Sequence, residues 1–218
     1  MKIFVMAGEA SGDALGAALM SGMAELDVDV QWQGIAGPRM QKVGASSLFA
    51  MEELSVMGLT EILPKYPALR RRLSETVEAA TAFQPDICLG IDSPDFTLRA
   101  AKRIRAATGC KTVHYVAPSV WAWRPGRAAK MAQHIDQVLA LFPFEPPYMQ
   151  AAGMSCDFVG HPVVAEPLAT DAEIAAFRAF YEMGDEPLVL ALPGSRAGEV
   201  TRLSSVFGEA LSELGRTH

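Results

Sequence analysis

The feature that most constrains this chain is an alternation. Short apolar runs recur at 2–7, 31–36, 86–91, 112–116, 137–141 and 156–160. Helical patterns fall between them at 12–26, 67–83, 97–108 and 124–133. Runs of this length, bounded by turn residues, predict strands buried on both faces, and their alternation with helices predicts a parallel sheet. The expected class is α/β, a Rossmann-like parallel sheet flanked by helices. Half of the 218 residues are apolar, enough for a sizeable core.

The stretch VGHPVVAEPLATD (159–171) is rich in proline and turn signals and predicts a domain edge. After it come a predicted helix (171–182), a predicted strand PLVLAL (187–192), a glycine loop and a further helix (198–214). One β-loop-α unit cannot build its own sheet. Residues 1–165 therefore read as a first domain and 166–218 as the start of a second. No targeting segment and no run of about 20 apolar residues is visible, so a soluble or membrane-surface protein is expected. Cys88, Cys110 and Cys156 show no metal spacing, and buried free thiols in a reducing compartment are the simplest expectation. No metal and no cofactor is predicted.

The net charge of −6 conceals an asymmetry. Residues 97–135 hold 8 basic and no acidic side chains, whereas 1–96 hold 7 basic and 13 acidic, and 136–218 hold 4 and 12. A basic island in an acidic chain suggests a local anion partner, although Arg99 to Arg105 also fit a solvated helix face. An acidic chain without a nucleic-acid motif argues against nucleic acid.

Four places could carry chemistry. The loop GEASGD (8–13) follows the first strand, where phosphate-binding turns occur, yet it holds Glu9 and Asp13. Ser11 or Gly12 could cap the next helix, and Asp13 suits its first turn. Glu9 sits at the strand's carboxyl end, where open α/β sheets place ligands, and suits a hydroxyl rather than a phosphate. In LGIDSPDFTL (89–98) Asp92 again ends a strand and could take a proton from an attacking hydroxyl; Asp95 fits a helix cap. In VHYVAPSVWAWRPGR (113–127), Arg124 and Arg127 beside Trp123 could hold an anion, while core packing is the commoner use of Trp121 and Trp123. His114 fits a satisfied strand residue. In LPGSRAGEV (192–200), the turn Gly194-Ser195-Arg196 would suit a diphosphate at a helix start. Between 56 and 75, Ile62, Leu63, Leu69 and Leu73 with Arg70, Arg71 and Arg72 fit either a core helix or contact with an anionic membrane.

GEASGD, GIAGPRM, MEELSVMG, GIDSPDF, HYVAPSVWAWR, FPFE, FVGHP and LPGSR occur in this order. Together they resemble the lipid-A-disaccharide synthases, a family of inverting glycosyltransferases, from Met1 to at least Val200. The resemblance implies a GT-B-type fold of two Rossmann-like domains, with the acceptor on the first and UDP mainly on the second. It implies transfer of 2,3-diacylglucosamine from UDP-2,3-diacylglucosamine to 2,3-diacylglucosamine 1-phosphate (lipid X), a step of lipid A and lipopolysaccharide biosynthesis. It places Asp92 as the candidate base and Glu9 as its support, although either could take the proton. Arg196, with Gly194 and Ser195, would face the donor diphosphate. Ser11, Trp123, Arg124 and Arg127 are candidates for the acceptor or its anionic group. Ile62, Leu63, Leu69, Arg70, Arg71 and Leu73 coincide with the family's membrane patch. A peripheral protein of the cytoplasmic face of the inner membrane is implied, with a homodimer in full-length members.

Overall fold

In the computed structural model, which describes residues 1–54, 59–124, 126–184, 186–194 and 197–217, the apolar runs up to residue 160 become neighbours in one sheet. The strands are β1 (Lys2–Ala7), β2 (Gln31–Ile35), β3 (Ser46–Ser47), β4 (Ile87–Ile91), β5 (Lys111–Tyr115), β6 (Gln137–Ala140) and β7 (Ser155–Phe158). Their order is β3-β2-β1-β4-β5-β6-β7, and every pairing is parallel. Between them run α1 (Ala10–Glu25), α2 (Pro38–Lys42), α3 (Leu59–Phe83), α4 (Pro94–Thr108), α5 (Gly126–Met131) and α6 (Pro146–Ala151). The chain divides into two compact units, Met1–Glu166 and Pro167–His218.

The centre of the sheet is the core of the first unit. Phe4, Val5, Met6 and Ala7 of β1 are wholly buried, as expected of a strand with helices on both faces. The backbone of β2 turns at Gly34 so that a side chain there would point into β1. Gly34 has φ +149°, and a Cβ there would lie 1.9 Å from the Val5 carbonyl oxygen, so only glycine fits. Helix α4 buries Thr97, Ala100, Ala101 and Ile104, one stripe at helical spacing. Its other face is solvated at Arg99, Lys102 and Arg103, while Arg105 pairs with Asp136 at 2.9 Å. Much of the basic island is therefore an ordinary outer helix face.

Several local expectations change. Helix α1 begins at Ala10, with Glu9 extended at the cap position (φ −148°, ψ 162°), so Ser11 lies inside the first turn and cannot cap it. Asp13 is buried and reaches across to α2, where its carboxylate accepts from the backbone N–H groups of Arg39 (2.9 Å) and Met40 (3.0 Å). It thus caps a second helix rather than its own. Asp13→Ala is expected to destabilise the first unit by about 1–2 kcal/mol, since two backbone donors, that of buried Met40 among them, lose their acceptor. Urea unfolding measures this, and a loss under about 0.3 kcal/mol would show that water replaces the carboxylate.

The second unit holds α7 (Asp171–Phe180) and α8 (Ala197–Thr217). Thr170 and Glu173 close a reciprocal capping box on α7. The predicted strand at 187–192 does not form. Among the described residues the segment pairs with no strand, and Leu188, Val189, Leu190 and Leu192 are exposed. A strand needs a neighbour to accept its hydrogen bonds, and β-propensity alone does not supply one.

Candidate functional site

The chain leaves β1 towards β2 on one side of the sheet and returns to place β4 on the other. The loops that follow β1 and β4 therefore part in opposite directions and open a crevice at their carboxyl ends, the usual ligand position in such sheets. The register pairs Ala7 with Ile91, so the next residues, Gly8-Glu9 and Asp92-Ser93, flank this crevice from either side. The two loops touch: a Cβ on Gly8 would lie 2.5 Å from the Ser93 hydroxyl oxygen, so a larger residue would force them apart. Glu9 and Asp92 are both half-buried, and the Glu9 side chain makes no cap bond to α1.

Asp92 is held in an unusual conformation. Both Asp92 (φ 48°) and Ser93 (φ 43°) are left-handed, a conformation that aspartate tolerates and that costs most other residues with a side chain roughly 1–2 kcal/mol. The fold fixes them from two sides. The Asp92 N–H donates to the Tyr115 carbonyl at the end of β5 (3.0 Å), and the Thr97 hydroxyl donates to the Asp92 carbonyl (2.8 Å). Val116, just beyond β5, also has positive φ (85°), a rare state for a β-branched residue. Backbone strain of this kind concentrates where a side chain must be aimed.

Helix α4 starts at Pro94, with left-handed Ser93 at its cap position. Asp95 is therefore in the first turn rather than at the cap, and its exposed carboxylate pairs with Arg127 at 3.3 Å. His114 departs from the satisfied strand residue expected. It is buried, and its Nδ1 is the one buried side-chain nitrogen or oxygen without a hydrogen-bond partner among the described residues. Burial, with a smaller contribution from the Arg127 charge, lowers its pKa to about 4.

Trp121 and Trp123 do not enter the core; both are exposed in the loop after β5. The Arg124 guanidinium lies over the Trp123 ring, 5.3 Å from its centroid. Phe142 and Phe144, in the loop after β6, were not singled out from sequence. Their signal was the FPFE motif, two aromatics in a short loop beyond a buried strand. Ser11 is exposed on α1.

On α3, Arg70 and Arg71 are exposed, Leu69 is half-buried, and Leu73 packs against the core. For Leu73 the core-helix alternative holds. Arg72 does not belong to a free basic rim, because it bonds Glu53 (2.6 Å) and Glu75 (2.7 Å). The side chains of Ile62 and Leu63 lie outside the described residues, as do Ser195 and Arg196. Gly194 has φ 112°, in keeping with a turn. No helix among the described residues is long and apolar enough to cross a membrane.

A family model described as lipid-A-disaccharide synthetase matches residues 3–217. The lipid-A-disaccharide synthase of Ruegeria pomeroyi is 62% identical over 218 residues, all of this chain and 54% of that protein. The Rhodospirillum centenum protein of the same name is 48% identical over 98% of this chain and 54% of its own. The chain thus spans about half the length of these relatives. A crystal structure of Anabaena HepE in complex with UDP and glucose matches with a TM-score of 0.51. That likeness covers 83% of this chain and 50% of the other at 10% identity, and is one of fold.

Proposed function

This chain belongs to the lipid-A-disaccharide synthetase family, a family of glycosyltransferases, and from that premise we propose that it carries the acceptor side of an inverting glycosyl transfer. In the proposed reaction, 2,3-diacylglucosamine passes from UDP to the 6-hydroxyl of 2,3-diacylglucosamine 1-phosphate. The products are a β-1,6-linked disaccharide phosphate and UDP. The observation that best supports this reading is the placement of Glu9 and Asp92 at the carboxyl ends of two adjacent interior strands, β1 and β4.

Asp92 takes the proton of the 6-hydroxyl as that oxygen attacks the donor's anomeric carbon. The bond from that carbon to the β-phosphate oxygen breaks with inversion, and its electron pair leaves with UDP. Glu9, across the crevice, orients the attacking hydroxyl. Two carboxylates suit this side because the diphosphate charge develops elsewhere. We assign that charge to Arg196 and to the N–H groups at the start of α8. Arg124 and Arg127 would meet the acceptor's 1-phosphate, with Trp123 beside them. Leu69, Arg70 and Arg71 of α3 would face anionic lipid at the cytoplasmic surface of the inner membrane. The resemblance adds a homodimer as the assembly of full-length family members.

Incubating the chain with both lipids in detergent and following the disaccharide phosphate by mass spectrometry tests the reaction; product is the expected result. A second reading is favoured by the unpaired segment 187–192: a unit that binds acceptor and membrane without turnover. Acceptor binding with no product would select it. Absence of both would overturn the two together.

A further inference from the structure

A threonine inside a helix commonly turns its hydroxyl back to the carbonyl four residues earlier. Thr76, Thr81 and Thr108 do this, donating to the carbonyls of Arg72, Val77 and Ile104 at 2.6, 2.7 and 2.8 Å. Thr97 differs. Its hydroxyl reaches past the start of α4 to the Asp92 carbonyl, five residues back, at 2.8 Å, with the Ser93 carbonyl at 3.1 Å as a second acceptor. Because α4 begins at Pro94, this bond holds the turn before the helix rather than the helix itself.

The side chain is seated for that task. Thr97 is wholly buried, so packing fixes its position. Beneath it lies β4, two residues before Asp92. A Cβ on Gly90 would stand 3.0 Å from the Thr97 Cβ and 3.5 Å from its hydroxyl oxygen, so the glycine leaves the room in which the threonine sits on the strand.

The bond also completes a pair. The Asp92 N–H donates to the Tyr115 carbonyl and fixes the peptide plane before Asp92. The Thr97 hydroxyl fixes the plane after it. With both planes held, φ and ψ of Asp92 are set, and with them the direction in which its side chain leaves the strand. Ser93, the next residue, is left-handed too and has less tolerance for that state than aspartate, so the turn needs holding.

We infer that Thr97 is a positioning residue for the proposed transfer: its hydroxyl pins the peptide plane after Asp92 and so aims the carboxylate into the crevice. This rests on the reading of Asp92 as the base and adds the group that orients it.

Two variants of the 218-residue chain separate the hydroxyl from the shape. Thr97→Val keeps the branched side chain without the hydroxyl, and Thr97→Ser keeps the hydroxyl without the methyl. Disaccharide formation is followed at varied 2,3-diacylglucosamine 1-phosphate, and amide hydrogen exchange is followed residue by residue by NMR. Thr97→Val is expected to lower kcat about tenfold, with the acceptor KM within about twofold, as the loss of one buried hydrogen bond suggests. It should also speed exchange of the Asp92 N–H about tenfold relative to the other amides of β4 and β5. Thr97→Ser should return both quantities to within about threefold of the parent. An unchanged kcat in Thr97→Val would overturn the inference and leave Asp92 as the base. Equal losses in the two variants would overturn it in favour of packing by the methyl group. No product from the unaltered chain would count against the transfer itself, and the pin would then be read from exchange alone. A change no greater at Asp92 than elsewhere in β4 and β5 would overturn it, whereas one confined to Asp92 and reversed in Thr97→Ser would uphold it.

Discussion

Asp92→Asn is expected to lower the rate of disaccharide formation by roughly 10²–10⁴-fold, the usual contribution of a positioned general base. The amide keeps the shape of the carboxylate but has no basic oxygen to take the acceptor's proton. It is also the cleaner variant structurally. Asparagine tolerates the left-handed backbone that Asp92 adopts, whereas alanine would add roughly 1–2 kcal/mol of strain there. The thermal midpoint of Asp92→Asn and its affinity for the acceptor should therefore stay near those of the parent. Rates at saturating acceptor, read beside a melting curve, check both points. Retention of more than a tenth of the rate would shift the base to Glu9. Glu9→Gln would then show the larger loss.

Lowering the pH from 7 to 4 should destabilise the first unit through His114 by up to about 3 kcal/mol, at roughly 1.4 kcal/mol per pH unit. The folded protein buries a neutral imidazole with its pKa lowered to about 4, against 6.5 for the unconstrained side chain. Between these values the unfolded chain binds a proton that the folded chain does not, so protons favour unfolding. The contribution is fully present above 6.5 and is lost as pH falls towards 4. Carboxylates titrate in the same window, so the informative quantity is a difference. Urea unfolding of the parent and of His114→Leu at pH 7, 5.5 and 4.5 should show a steeper pH dependence in the parent. Parallel curves would mean that the ring reaches solvent or a partner once protonated.

The sheet was legible because its strands are continuous apolar runs, and such runs need no alternation to be recognised. β3 was not, because Ser46 and Ser47 are a polar pair at the sheet edge, held partly by the Ser47 hydroxyl, which accepts from the Ala36 N–H. PLVLAL has the composition of a strand but lacks a neighbour, and pairing is a property of two segments. In the candidate site, Glu9 and Asp92 could be placed from sequence because a strand end is visible locally. The left-handed backbone at Asp92 and Ser93 could not. It depends on Tyr115 and Thr97, which reach it from another strand and from the following helix. Core packing is the commoner expectation for Trp121 and Trp123 by residue type, with Trp123 also a candidate for the acceptor, but the buried places in their loop belong to Ala117 and Val120. The reach of Asp13 to α2 was hidden for the same reason as the backbone at Asp92: its partners are distant in sequence.

The interior position of β1 also shapes how the chain is made. Ile3 pairs with Ile87, 84 residues further on. At about 5–20 residues per second, a ribosome takes roughly 4 to 17 seconds to supply that partner. Through that interval the first strand emerges with one edge unfilled and its apolar faces only partly covered. The segment that flanks the proposed catalytic crevice is thus also the one most exposed to mispairing during synthesis.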